Sequence, residues 1–125
     1  MIEQCEPSRQ AVQALVLVPT RELAIQVAGV VKELATRRSL TVTLVYGGHS
    51  FEPERRALRS GAQIVIGTPG RTLDHIRRGT LVAKGIRMFV LDEADEMLDR
   101  GLALEVEAIL ATTPRERQTV LFSAT

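Results

Sequence analysis

Five short apolar runs, separated by segments that predict helices, most constrain what this chain can fold into. The runs cover residues 14–18, 40–46, 63–67, 88–91 and 118–122. Short runs of bulky apolar side chains bounded by Gly, Pro or Asp are typical of buried strands. Strands that alternate with helices are joined by right-handed crossovers. The sequence therefore predicts an α/β fold, a parallel sheet of about five strands covered by helices on both faces.

The intervening segments carry helix signals of their own. Pro53 suits the first turn of a helix through Arg59, and Thr68 can cap a helix that begins at Pro69 and ends before Gly79. From Arg21 to about Arg37, apolar residues recur at spacings of four, three and four. We expect these residues to form the buried stripe of the first helix: Leu23, Val27, Val30 and Leu34. A last helix carries Leu102, Val106, Ile109 and Leu110.

Composition limits the class of protein. At 125 residues and 45% hydrophobic, the chain can form one domain with a real core. Sixteen Lys and Arg against 15 Asp and Glu leave no global field that would attract nucleic acid or membrane. A single cysteine, Cys5, indicates a reducing compartment. With no basic leader and no apolar run near the roughly 20 residues of a membrane helix, we predict a cytoplasmic protein.

Three acids, Asp92, Glu93 and Asp95, follow directly after the apolar run 88–91. The first charges after a buried parallel strand mark its carboxyl end, where open α/β sheets bind their ligands. Mg²⁺ takes one or two carboxylates together with nucleotide phosphates, so Mg²⁺-assisted phosphate chemistry is one interpretation. The other is an ordinary helix N-terminus, where the helix dipole favours acids. Both interpretations fit this segment on its own.

The loops at the carboxyl ends of all the strands are expected to form one edge of the sheet, which we call the rim. Two other loops there place a small hydroxyl residue before an arginine, Thr20 before Arg21 and Thr68 shortly before Arg71. An arginine at the positive end of a helix is electrostatically unfavourable, so a phosphate bound there would explain both. The alternative is that each arginine pairs with a neighbouring acid, such as Glu22 or Asp74.

Other charged and aromatic residues have structural explanations. The pairs 37–38 and 77–78 fall at helix C-termini, and the pair 55–56 lies beside Glu52 and Glu54 on a solvated face. His49 and His75 have no partners at metal-ligand spacing and are expected to be surface or core residues. The four aromatic residues are too few for a base-stacking platform, so contact with sugar and phosphate is favoured.

Five short segments occur in this order: Pro19-Thr20-Arg21-Glu22-Leu23-Ala24, Gly47-Gly48, Thr68-Pro69-Gly70-Arg71, Asp92-Glu93-Ala94-Asp95 and Ser123-Ala124-Thr125. Together they resemble motifs Ia, GG, Ib, II and III of DEAD-box RNA helicases. The resemblance covers residues 14–125 and leaves 1–13 as a variable N-terminal segment. It implies part of the family's first RecA-like domain and an ATP-dependent helicase that unwinds short RNA duplexes.

The resemblance also implies roles for these residues. Asp92 would hold Mg²⁺ through its water shell, and Glu93 would orient and polarise the water that attacks ATP, so both are catalytic and, with Asp95, cofactor-binding. Asp95 would couple to Ser123 and Thr125 and thereby link nucleotide state to domain closure. The residues expected to bind the RNA backbone are Pro19, Thr20, Arg21, Gly47, Gly48, Thr68, Gly70 and Arg71.

Family elements missing from the sequence limit the expected activity. The chain has neither the glutamine-containing adenine motif nor a Gly-x-x-x-x-Gly-Lys-Ser/Thr phosphate loop. We therefore expect a helicase fragment that binds ATP poorly, has no ATPase activity alone and needs a second RecA-like domain. Its strand 118–122 should be an open edge prone to self-association. The alternatives are a non-enzymatic module that binds RNA backbone weakly, or a fragment of a DNA translocase of the same superfamily.

Overall fold

The computed structural model describes residues 2–123 and contains one five-stranded sheet. All neighbouring strands are parallel, in the order β2-β3-β1-β4-β5. The strands are β1 (Ala14–Leu17), β2 (Val42–Val45), β3 (Ile64–Gly67), β4 (Met88–Leu91) and β5 (Gln118–Leu121). The predicted α/β fold and strand number are confirmed.

Residues 2–123 also form five α-helices, which lie between the strands, and one short 3₁₀ turn before β1. They are the 3₁₀ turn Ile2–Gln4, α1 (Arg21–Thr36), α2 (Glu52–Arg59), α3 (Pro69–Arg77), α4 (Ala94–Asp99) and α5 (Ala103–Thr112). Sequence patterning located four of the helices but not α4, which is only six residues long and is separated from α5 by a turn at Gly101. None of the helices in this described part of the chain is long and apolar enough to cross a membrane.

Within the described residues, four helices cover one face of the sheet and one helix covers the other. Alternate residues of the strands point to opposite faces, so Leu15 and Leu17 belong to one hydrophobic core while Val16 belongs to the other. One core is completed by side chains from α2, α3, α4 and α5. The other is completed mainly by α1 and the N-terminal segment. Both cores leave the ends of the strands free to carry loops.

The buried stripe predicted for α1 is half right. Leu23 and Val27 are partly buried and pack against the core, but the residues that the helix buries fully lie one position further along: Ala24, Ala28, Val31 and Ala35. Two members of the predicted stripe, Val30 and Leu34, are 63% and 48% exposed. Small alanine side chains let the helix pack close to the sheet, whereas the pattern argument gave weight only to the bulky side chains. The helix therefore carries a second apolar strip that no described residue covers fully.

Two buried glutamines, Gln13 and Gln63, hold the N-terminal segment 2–13 against the amino ends of the strands. Gln13 donates from Nε2 to the carbonyl oxygens of Glu6 and Arg9, at 3.0 and 2.9 Å. Gln63 donates from Nε2 to the Pro7 carbonyl at 3.1 Å. These bonds lie at the amino ends of β1 and β3, opposite the rim that carries the sequence motifs.

The strands are in register, so their carboxyl ends lie at one level. Leu17 of β1 is opposite both Gly67 of β3 and Leu91 of β4. Gly67 is required by close packing, because a Cβ there would lie 2.4 Å from side-chain atoms of Val45 and Thr72. This close approach allows the chain to turn directly from β3 into α3. The loops predicted to form one rim do share one edge of the sheet.

Candidate functional site

The strand order divides this rim into two halves. The loops after β2, β3 and β1 are neighbours and carry the arginines 21 and 71. The loop after β4, which carries the acids, and the end of β5 follow on the other side of β1. A basic half and an acidic half therefore lie side by side, although the chain order of the loops does not show this.

Three loops of the basic half meet around Arg21. Its Cζ atom lies 6.0 Å from the centre of the Tyr46 ring, and a Cβ built on Gly48 would lie 3.4 Å from its Nη1. Because β3 separates β1 from β2, the side chain spans roughly 10 Å of the rim to reach this loop. Its one ion pair is to Glu22 at 3.7 Å, between side chains that are both more than half exposed. Such a pair contributes little, so the guanidinium is available to an anion.

The Gly47-Gly48 loop presents backbone rather than side chains to this arginine. Gly48 has φ +89°, in the left-handed region that glycine occupies without strain. Both glycines are exposed. A phosphate or ribose could approach the backbone closely at this point, next to the Arg21 charge.

The two threonines of the basic half differ in whether their hydroxyl groups cap a helix. Thr20 caps α1, because its Oγ1 accepts a hydrogen bond from the Leu23 N–H at 3.2 Å. Thr68 occupies the N-cap position of α3, but its hydroxyl makes no cap bond. The exposed Gly70 follows in the first turn, where backbone N–H groups lack helical partners. A free hydroxyl and free N–H groups at a helix N-terminus suit an anion. Pro19, by contrast, is buried.

Arg71 is held by the protein itself. Its Nε donates to Glu54 Oε1 at 2.7 Å, and its Nη2 donates to the His49 carbonyl at 2.6 Å. The guanidinium also lies 5.3 Å from the Phe51 ring centre, and the side chain is only 15% exposed. An acid does pair with this arginine, but Asp74, the acid suggested from sequence, instead accepts from Arg78.

Glu54 is the functional candidate that the sequence analysis missed. We predicted a solvated face, yet this side chain is 3% exposed. Its carboxylate accepts four hydrogen bonds: Oε1 from Arg71 Nε and His75 Nε2, and Oε2 from the Tyr46 N–H and His49 Nε2. The signal that could have revealed it is its spacing of four from the buried Leu58, which places both on one face of α2.

The surroundings of Glu54 shift its pKa. Burial acts to raise the pKa, but the hydrogen bonds from His75, Arg71 and the Tyr46 amide outweigh it and lower the pKa to about 2. The carboxylate therefore stays charged at all but very acid pH. A charged carboxylate with four donors is a rigid anchor for the segments that supply them.

Both histidines contact this carboxylate. His75 is fully buried, with its Nε2 2.8 Å from Glu54 Oε1 and its Nδ1 2.7 Å from Thr80 Oγ1. His49 lies at the surface, with its Nε2 2.7 Å from Glu54 Oε2. The prediction of one surface or core role for each is confirmed, and their actual partner is an acid that we had assigned to solvent.

The acidic half begins where β4 ends. The Asp92 N–H still donates to the Leu17 carbonyl at 3.0 Å, and the next residue, Glu93, has φ +58° and ψ +48°. This left-handed conformation is unfavourable for a residue with a side chain and is concentrated at functional sites. The helix α4 then begins at Ala94, so Asp95 lies in a first helical turn. The helix N-terminus of the second interpretation is therefore present.

The carboxylates of this segment have no protein partner among residues 2–123. No hydrogen bond or ion pair reaches the side chains of Asp92, Glu93 or Asp95 from the described residues. Nor do three His, Cys, Asp or Glu side chains converge as a metal-ligand set in that range. Unpaired oxygen ligands without a closed cage fit Mg²⁺, which keeps several waters and relies on substrate phosphates.

The end of β5 lies next to the acidic loop. The Ala94 N–H donates to the Phe122 carbonyl at 3.0 Å, and the Phe122 N–H donates to the Leu91 carbonyl at 2.8 Å. Ser123 is therefore close to Asp95 in the fold, but no hydrogen bond joins their side chains among the described residues. Thr125, the other predicted coupling residue, lies outside the described residues.

Comparison with known proteins identifies the fold and the family together. The family model described as DEAD/DEAH box helicase matches residues 1–125, the whole chain. The chain belongs to the DEAD/DEAH box helicase family. The family that the resemblance implied is therefore confirmed.

Two curated relatives show how much of a helicase this chain represents. The DEAD-box ATP-dependent RNA helicase CshA of Geobacillus kaustophilus is 48% identical over 125 residues. The ATP-dependent RNA helicase DeaD of Escherichia coli is 49% identical over 126 residues. The alignments cover 100% of this chain but only 27% and 20% of these helicases, so the chain spans about a quarter or less of their length.

Solved structures match the fold closely. A DEAD box protein from Methanococcus jannaschii superposes with a TM-score of 0.93 at 47% identity, over 99% of this chain and 34% of that one. Saccharomyces cerevisiae Dbp5 bound to RNA and ADP BeF3 gives 0.88 at 37% identity, over 99% and 31%. The five-stranded parallel sheet is thus that of a RecA-like domain of a DEAD box helicase.

Proposed function

We propose that this chain is part of an ATP-dependent RNA helicase and contributes its catalytic carboxylates and half of its RNA-backbone surface. The observation that carries the proposal is the division of the rim. Unpaired acids follow β4, while Arg21, the Gly47-Gly48 loop and Thr68 form a basic half beside them. ATP hydrolysis needs the first half, and RNA binding needs the second.

In the acidic half, Asp92 would hold Mg²⁺ through water, and Glu93 would orient the attacking water and accept its proton. Bound Mg²⁺ and ATP supply charge neutralisation and the phosphoryl group, and catalysis of this reaction depends mainly on positioning and electrostatics. The left-handed backbone at Glu93 and the lack, among residues 2–123, of a protein partner for its carboxylate support this role, because the side chain is free to meet water.

In the basic half, the proposed ligand is the sugar-phosphate backbone of RNA. Arg21 supplies an exposed charge, Gly47 and Gly48 supply accessible backbone, and Thr68 with Gly70 supplies a free hydroxyl beside a helix N-terminus. Arg71 contributes through a guanidinium held in place by Glu54. Because these groups recognise phosphate and sugar, we expect no base specificity.

The two halves would be coupled through the end of β5. Asp95 and Ser123 are brought close by the hydrogen bond between Ala94 and Phe122. We propose that they, with Thr125, link the bound nucleotide to closure against a second RecA-like domain. The chain contains no Gly-x-x-x-x-Gly-Lys-Ser/Thr sequence, so the chain alone is expected to bind ATP poorly and not to hydrolyse it.

The RNA surface is tested by replacing Arg21 with alanine. Because one phosphate contact would be lost, the slope of log affinity against log salt should become shallower by about 0.7, the value for one contact to a single strand. Fluorescence anisotropy with a short single-stranded RNA at several salt concentrations measures this slope. Arg37→Ala is the matched control, since Arg37 is an exposed arginine beyond the opposite end of the same helix.

Equal effects of the two substitutions would argue against a specific RNA surface and leave only general attraction to charge. Competition between RNA and DNA of the same sequence separates the helicase proposal from the DNA-translocase alternative. Preference for DNA would favour the alternative.

We also propose that β5 mediates self-association. Within residues 2–123 it pairs only with β4, and its last residue, Leu121, and the following Phe122 are 62% and 55% exposed. An open apolar edge pairs readily with another strand. Sedimentation velocity should show mass rising with concentration, and Leu121→Lys should reduce the rise. Leu104→Lys, at a 76% exposed position of α5, should not. A monomer at every concentration would contradict this proposal.

A further inference from the structure

The buried carboxylate of Glu54 connects two loops of the basic half that the strand order only places near each other. We infer that Glu54 is a positioning residue that fixes the Gly47-Gly48 loop and Arg71 in the geometry that binds RNA phosphates. The inference rests on the proposed function of this surface. Glu54 itself is 3% exposed and is therefore not a contact residue.

One oxygen of the carboxylate holds the loop after β2. Oε2 accepts from the Tyr46 N–H at 2.9 Å and lies 2.7 Å from His49 Nε2. These two residues directly flank Gly47 and Gly48. The glycine pair has no side chains of its own to restrain it, so its position depends on the residues on either side.

The other oxygen holds the start of α3. Oε1 accepts from Arg71 Nε at 2.7 Å and lies 2.8 Å from His75 Nε2. The Arg71 Nη2 then donates to the His49 carbonyl at 2.6 Å, which closes a ring of contacts between the two loops. Neither loop can shift without breaking a bond to a buried charge.

His75, one of the partners of Glu54, is itself held in place by other residues. The His75 ring stacks on Phe51 with centroids 4.0 Å apart and planes 14° apart, and its Nδ1 meets Thr80 Oγ1. Four donors face the carboxylate, and a carboxylate can only accept. A glutamine amide would place its NH₂ group opposite a donor that cannot accept, either the Tyr46 N–H or Arg71 Nε, because each oxygen faces one of them. The site therefore suits a charged carboxylate better than a neutral amide of the same size.

The sign of the charge effect makes the inference testable. A negative charge near a phosphate surface opposes RNA binding, so neutralising it should strengthen binding if Glu54 has only an electrostatic effect. If Glu54 positions the loops, neutralising it should weaken binding instead. The two explanations predict opposite changes.

Glu54→Gln and Glu52→Gln form the matched pair. Both remove one negative charge from the first turn of α2, but Glu52 is exposed and, in the described part of the chain, pairs only with Arg55 on its own helix. Affinity of the chain for a short single-stranded RNA is measured at constant salt, with circular dichroism used to confirm folding. We expect Glu54→Gln to weaken binding about tenfold, the lower end of the loss seen at metal sites when a residue that orients a ligand is removed, and Glu52→Gln to leave it equal or tighter.

A second measurement tests the inference even if Glu54→Gln folds poorly or the unmodified chain binds no RNA. Amide hydrogen exchange at Tyr46, Gly47 and Gly48 should accelerate in Glu54→Gln and, to a smaller extent, in His49→Ala, whose side chain is partly exposed. If the unmodified chain binds no RNA, the proposed RNA surface fails, and these exchange rates alone decide whether Glu54 holds the loop. Glu54→Gln that binds RNA as tightly as Glu52→Gln, or unchanged exchange, would overturn the inference.

Discussion

Replacing Glu93 with glutamine is expected to slow ATP turnover by roughly 10²–10⁴-fold, the usual contribution of a general base, while ATP and RNA binding persist. Glutamine keeps the size of the side chain but cannot accept a proton. The test uses a chimera in which this chain replaces the matching segment of CshA of Geobacillus kaustophilus, to which it is 48% identical. Phosphate release with saturating RNA gives the turnover number.

The matched control for this substitution is Glu96→Gln. Glu96 lies three residues further along in α4 and is occupied by a hydrogen bond from Arg100 at 2.9 Å, so its loss should leave turnover unchanged. Binding of a fluorescent nucleotide reports whether the site is intact. Turnover that survives Glu93→Gln in a chimera that binds nucleotide would exclude Glu93 as the base.

Acid should destabilise the fold by about 3 kcal/mol through Glu54 alone. Burial acts against the charged form, but hydrogen bonds from His75, Arg71 and the Tyr46 amide lower the pKa from 4.5 to about 2. The unfolded chain therefore takes up this proton at a higher pH than the folded chain does. The stabilisation is complete above pH 4.5 and is lost as the pH falls towards 2.

Urea unfolding at intervals between pH 7 and pH 2 measures this loss. Glu54→Gln should be less stable at neutral pH, because buried donors lose their charged acceptor, and should lack this part of the acid dependence. Glu52→Gln removes an exposed acid from the same helix and should retain it. Parallel pH profiles for the chain and Glu54→Gln would show that the carboxylate is not held as the structure indicates.

Local pattern predicted the elements of the fold well because strands and long helices are determined by nearby residues. The five strands, the helix starts at Arg21 and Pro69, and the placement of the motif loops at one rim all followed from apolar runs and capping residues. The apolar pattern failed where the distance between a helix and the sheet decides which side chains are buried. In α1 the alanines face the sheet, because close approach of a helix to a sheet favours small side chains over the bulky Val30 and Leu34.

The candidate site was predicted residue by residue but not as an arrangement. Sequence suggested Glu22 and Asp74 as partners of the two rim arginines, since both are near in the chain. The structure pairs Arg71 with Glu54, seventeen residues away, through a crossover that brings α2 and α3 together. It also assigns Asp74 to Arg78 within one helix. Pairs within a helix can be expected from spacing, whereas pairs between helices depend on the sheet order.

The sequence by itself determined that this chain is an α/β domain with helicase motifs at one rim, because each motif follows a recognisable strand. Only the tertiary structure decided how the rim is organised. The order β2-β3-β1-β4-β5 separates a basic half from an acidic half, and Arg21 reaches the Gly47-Gly48 loop across an intervening strand. Burial converts Glu54 from a presumed surface acid into the anchor of two loops. Strand order and burial arise from contacts between distant residues, which local patterns do not encode.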